Sequence, residues 1–260
     1  MTTSFLLISC GGEAGDPDSY RTPTPSPNDG LTFDLNGQFA RKSVISQYVE
    51  SATGDGFEQQ SVTSYSVVTL REGTDANTAF YSEVDCLTEM TEVSGSLLTL
   101  HQGVYSNSPP IEYLATVSSS KVGATFSIAS QVEIKGAELE DPWTEALPTT
   151  PDDSRVVDFD QDGNPGYTIY VDSLINGTMW ATQRYIFAMN GTLAGFDAIT
   201  GLNDAVLEST RLWSSSVFIP TDSDTYMDDT PENSFFELIR VADGYTCETL
   251  LAEQDALFGT

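Results

Sequence analysis

Histidine is almost missing from this chain: His101 is the only one in 260 residues. Zinc sites built from several imidazoles, the H-E-x-x-H pair among them, are therefore excluded. Other recurring catalytic signatures are missing too, since no G-x-S-x-G elbow, no Walker phosphate loop and no G-x-G-x-x-G turn occurs. Positive charge is scarce as well. Three lysines and seven arginines face 39 aspartates and glutamates, which gives a formal net charge of −29. Nucleic acid and anionic membrane faces attract the opposite sign, so sequence-independent nucleic-acid binding and nuclear or ribosomal work are excluded. No apolar run approaches the roughly 20 residues of a membrane-spanning helix. Cysteine is limited to Cys10, Cys86 and Cys247.

What is present suffices for a core: 39% of residues are hydrophobic and 10% aromatic. After residue 30 the dominant signal is period-two alternation broken by turn residues, the pattern of half-buried antiparallel strands. Val62 to Leu70, Ile111 to Val117, Ala124 to Ser130, Tyr167 to Leu174, Met179 to Ala188, Val206 to Ile219 and Phe235 to Val241 all fit it. Asn176-Gly177 and Asn190-Gly191 carry the strongest hairpin signal, because both central residues of a type I′ turn need positive φ. They predict a meander of three strands with Met179 to Ala188 in the middle. Few segments sustain helical spacing, and the best is Cys247 to Leu257, a short terminal helix. The fold expected is all-β, an antiparallel up-and-down barrel or a β-sandwich with a short C-terminal helix. In outline the meander resembles the lipocalin-like barrels, by pattern alone. Residues 138–153, with three prolines and six acidic residues, form one internal break. They are either a linker between two β domains or a long loop in one domain spanning 31–260, and a bond from Cys86 to Cys247 would favour the second.

The N-terminus points to a compartment. Leu7-Ile8-Ser9-Cys10 resembles the bacterial lipobox, in which the cysteine is acylated and becomes the mature N-terminus. The resemblance implies that residues 1–9 are the remnant of a truncated signal peptide and that Cys10 is a lipid anchor. Residues 10–30 then serve as a flexible linker, being rich in Gly, Pro, Ser and Asp. With Cys10 acylated, Cys86 and Cys247 remain as one potential disulfide in an oxidising compartment. The localisation expected is extracytoplasmic and membrane-anchored, in the periplasm or at the cell surface.

The segment from Val156 to Thr168 carries the clearest chemistry. Asp158, Asp160 and Asp162 with Gly163 spell the D-x-D-x-D-G core of a calcium loop, in which alternate carboxylates converge on one cation. The likeness is to EF-hand-type and related loops, and it implies Asp158, Asp160, Asp162 and Asn164 as ligands of a structural calcium ion. The twelfth position is Ile169 rather than glutamate, so further carboxylates would come from Asp152, Asp153 or Asp172. The alternative is a solvated acidic hairpin. A second acidic run, Asp222 to Asp229, has poorer spacing and reads as a solvated loop. Arg184 alternates with Trp180, Thr182 and Ile186; facing inward it needs a carboxylate or an anionic ligand, facing outward it needs nothing. Excess acid with little lysine also looks like the composition of salt-adapted proteins.

These readings combine into a non-enzymatic, lipid-anchored extracytoplasmic protein with a structural calcium loop. Its partner is a small molecule, a glycan or a protein, and not a nucleic acid. Two other classes stay open: a secreted carbohydrate-active hydrolase using paired carboxylates, and a surface structural or assembly subunit. A hollow interior favours ligand binding, and an open groove with carboxylates favours hydrolysis.

Overall fold

The computed structural model describes residues 31–51, 56–75, 77–174, 176–216, 219 and 225–259. Cys10 and the linker therefore lie outside the described residues. The strands are β1 (Gly37–Glu50), β2 (Phe57–Glu72), β3 (Thr78–Met90), β4 (Leu97–Leu100), β5 (Ile111–Val117), β6 (Thr125–Lys135), β7 (Tyr167–Asp172), β8 (Gly177–Ala194), β9 (Ala198–Ser214), β10 (Thr225–Met227) and β11 (Phe235–Val241). Two helices accompany them, the single turn α1 (Gly103–Ser106) and the terminal α2 (Cys247–Phe258).

Eight strands close a ring in which sequence neighbours pair antiparallel: β1, β2, β3, β5, β6, β8, β9 and β11, with β11 returning to β1. Closure removes the sheet edges and decides for the barrel over the sandwich. The ring takes strands from both sides of residues 138–153, so that segment is an excursion from one sheet. Three further strands lie off the ring: β10 pairs with β1, and β7 and β4 patch the wall. β8 pairs with β6 through Gln183–Thr192 and with β7 through Gly177–Ala181, so β7 continues the line that β6 leaves at Lys135. β4 then pairs with the outer side of β7.

Asn190-Gly191 does not turn the chain; β8 runs straight through it. Gly191 lies opposite Gly201 of β9. A Cβ there would overlap the Thr200 carbonyl oxygen and lie 2.8 Å from the Phe236 ring. Close packing, and not positive φ, is what this glycine serves. The hairpin forms instead at Gly195, whose φ is +85°.

Along each strand alternate residues point inward. At one end of the barrel they pack solidly: Phe39, Leu70, Tyr81, Phe126, Met189 and Phe236 are all buried there. Phe33, on the segment leading into β1, joins the same cluster and stacks on Phe39. Helix α2 lies on the outside. The Thr246 hydroxyl accepts a hydrogen bond from Thr249 N and caps the helix start, and Gly259 ends it in the left-handed region. Leu250 is buried against Ala40, Tyr65, Val67 and Cys86. The sulfurs of Cys86 and Cys247 sit within disulfide-bonding distance, their Cα atoms 5.2 Å apart, and fasten the helix to β3. No helix among the described residues is long and apolar enough to cross a membrane.

Candidate functional site

Above the packed end the barrel is hollow, with a cavity of about 510 Å³. That falls within the usual range for a small-molecule pocket, roughly 300–1,000 Å³. The strand period builds it in layers. Two residues beyond Phe39 of the packed end comes Arg41, two beyond Tyr81 comes Glu83, and two before Phe187 comes Tyr185; all three line the cavity. A polar floor thus rests directly on the apolar plug. Farther out the walls carry Ile45, Val62, Leu98, Leu100, Ile169 and Met179, with polar side chains such as Gln47, Gln60 and Ser96 among and beyond them.

The floor is densely bonded. Glu83 accepts hydrogen bonds from Arg41 Nη1, from Ser66 Oγ at 2.5 Å and from Tyr81 Oη at 2.8 Å. Arg41 and Glu83 are only 6% and 3% exposed, and Arg41 Nε has no partner. Burial disfavours the Arg41 guanidinium, but Glu83 together with Tyr81, Tyr185 and Asp85 more than compensates and raises its pKa. Beside this pair, Lys135 Nζ stands 3.8 Å from Asp85 Oδ2, and Tyr113 donates to Glu133 Oε1 at 2.5 Å. Burial pushes the Asp85 and Glu133 carboxyls up, against the pull of Lys135. Lys135 is disfavoured by burial, yet Asp85 and Glu133 hold its ammonium above the ordinary lysine value. On the wall, Arg211 reaches only Ser214 Oγ at 3.4 Å and the Ile219 carbonyl at 3.5 Å, with no carboxylate in ion-pair range among the described residues. Three of the ten cationic side chains of this acidic protein therefore line one cavity.

Arg184 faces away from the cavity and is still buried. Its Nε donates to the Pro142 carbonyl at 2.8 Å, Nη1 to Glu208 at 2.5 Å and Nη2 to the Glu145 carbonyl. It pins the acidic, proline-rich excursion to the outer surface of β8. Arg155 secures the same segment from within through Asp153 and Glu145. Of the second acidic run, Asp228 is no solvated loop residue. It is buried and accepts from Ser46, Gln59, Asn233 and the Thr230 amide. Those donors, the Asn233 side chain first, hold its carboxyl far below the usual range.

The triple-aspartate loop packs on the outer face of the wall patch. Asp158 points its two carboxylate oxygens at the amides of Asp162 (3.1 Å) and Gly163 (2.9 Å). Asn164 gives both its backbone and its side-chain N–H to Asp162, at 2.8 and 3.0 Å. Asp160 and Asp162 come together with a third residue, His101 at the end of β4, their donor atoms all within 4.8 Å of one another. His101 Nδ1 lies 3.4 Å from Asp160 Oδ2. Burial raises the Asp160 carboxyl, while hydrogen bonds from Thr168 and Asn164 outweigh burial and lower that of Asp162.

Sequence reasoning missed His101, which is 59 positions from Asp160 in the chain and meets it only because β4 pairs with β7. It missed the cavity floor as well. A signal for that was present in the alternation Phe39, Arg41, Ser43, Ile45, which sets a charged residue on an apolar face. No protein-family model, curated protein or solved structure matches this chain.

Proposed function

We propose that the protein is a non-enzymatic binding protein of the extracytoplasmic space that encloses one small amphipathic molecule in its barrel. The observation that carries this reading is the cavity itself, more apolar than polar in its lining and densely polar at its floor. The apolar body of the ligand lies along Leu98, Ile169 and Met179. An anionic or strongly accepting group on it meets Arg211, which has no carboxylate in ion-pair range among the described residues, with Arg41 Nε as a second vacant donor deeper in. A hydrolase working with paired carboxylates draws less support, since Glu83 already accepts three hydrogen bonds and Asp85 and Glu133 flank Lys135.

The location rests on the lipobox-like Leu7-Ile8-Ser9-Cys10 and on the Cys86–Cys247 pair, which suits an oxidising compartment. Exchange of Cys10 for serine should release the protein from membranes, and unchanged membrane retention would remove the anchor.

Binding is tested by titrating the protein with a fluorescent long-chain fatty acid. A saturable one-to-one emission change is expected, and filling the cavity with Met179→Trp should abolish it. Arg211→Gln should weaken binding by about tenfold or more, the worth of a charge-assisted hydrogen bond. No saturable change with the unaltered protein, or equal affinity in Met179→Trp, would overturn the reading.

A further inference from the structure

We infer that His101, Asp160 and Asp162 form a binding site for a divalent first-row transition metal of the zinc type, outside the barrel and independent of its cavity. Two observations converge on it. First, the donors are assembled. Ligand atoms around a tetrahedral zinc stand roughly 3.4 Å apart, given metal–ligand distances near 2.1 Å. His101 Nδ1 and Asp160 Oδ2 are already 3.4 Å apart, and the Asp162 donor falls within 4.8 Å of both. Second, an oxygen is left over. Asp160 is 1% exposed, its Oδ2 accepts from the Thr168 amide at 2.8 Å, and its Oδ1 has no hydrogen-bond partner. A buried carboxylate oxygen without a donor is costly unless a cation takes it.

The backbone holds these groups in place. The His101 amide donates to the Thr168 carbonyl at 2.9 Å, and Asn107 Nδ2 donates to the Asp160 carbonyl at 2.9 Å. Gly103 lets that carbonyl approach, since a Cβ would collide with it. The imidazole settles the class of metal. Calcium takes oxygen ligands, whereas a nitrogen with two carboxylates suits zinc and its neighbours. Where the sequence pattern alone suggested calcium, the arrival of His101 changes the donor set.

Because His101 is the only histidine, acylation by diethyl pyrocarbonate reads this site alone, and its side chain is 29% accessible to the reagent. The intact chain is stripped with chelator and treated with zinc or with calcium. Zinc should slow acylation about tenfold or more, calcium should not, and Asp160→Asn and Asp162→Asn should each remove the protection. Cys10, the thiol outside the disulfide pair, does not enter this readout. An acylation rate unchanged by zinc would reduce the contact to a plain histidine–aspartate pair and overturn the site. Protection by calcium but not by zinc would overturn the choice of metal. Fatty-acid titration of the same samples separates failure of this site from failure of the barrel as a binding cavity.

Discussion

Arg41 and Glu83 meet where the packed half of the barrel gives way to the hollow half, and neither is tolerable there alone. Removing one member of a buried ion pair strands the other, at a cost of about 3–5 kcal/mol. Glu83→Ala should therefore lower stability to urea by about that much. The double change Arg41→Met with Glu83→Leu should restore most of it, because similar volume without charge is tolerated. A single variant within about 1 kcal/mol of the parent would show that the pair is not desolvated as its burial implies. Asp228 yields a pH prediction. Its folded-state pKa is depressed, so its carboxylate stabilises the fold above the ordinary value of 3.8, and that contribution is lost as pH falls through the folded value. Asp228→Asn should melt below the parent at neutral pH, with a gap that narrows once the pH drops under 3.8. A gap constant from pH 7 to pH 2 would mean that the amide keeps every hydrogen bond the carboxylate makes.

At the scale of elements, local pattern was legible and long-range pairing was not. β5 falls on the window Ile111 to Val117, and α2 on the stretch beginning at Cys247, because period and capping are written into neighbouring residues. Asn190-Gly191 carried a strong turn signal that tertiary packing overrode, since Gly201 and Phe236 need the space. Gly191→Ala should accordingly destabilise by about 1–3 kcal/mol through overpacking, measured as a shift in urea midpoint. An unchanged midpoint would return the position to a conformational role. The partner of Cys86 was legible by elimination, although only the structure brings Cys247 to it. Linking residues 161 apart stabilises by up to about 5 kcal/mol in the chain-entropy model. Cys247→Ser should lower the melting temperature and free α2 from the apolar strip Ala40, Tyr65 and Val67, which a rise in dye binding would report. Equal melting with and without reductant would mean the sulfurs are not bonded.

The whole molecule is a closed sheet whose charge is far out of balance. With −29 distributed over 260 residues, self-repulsion opposes compactness and salt screens it. Raising sodium chloride from about 0.02 M to about 0.5 M, across which the Debye length shrinks well below 10 Å, should lift the melting temperature by several degrees. A flat response would place the acidic groups too far apart to matter. A closed barrel was the favoured expectation from neighbour-to-neighbour pairing, but its seam was not legible, because the contact of β11 with β1 joins segments at opposite ends of the chain. Phe39, Phe126 and Phe236 stopper one end of the barrel among the described residues. Under the function proposed above, a guest would then leave by the route it entered, and a second could board only after the first had gone. Such a vessel would ferry one passenger at a time and would be no conduit.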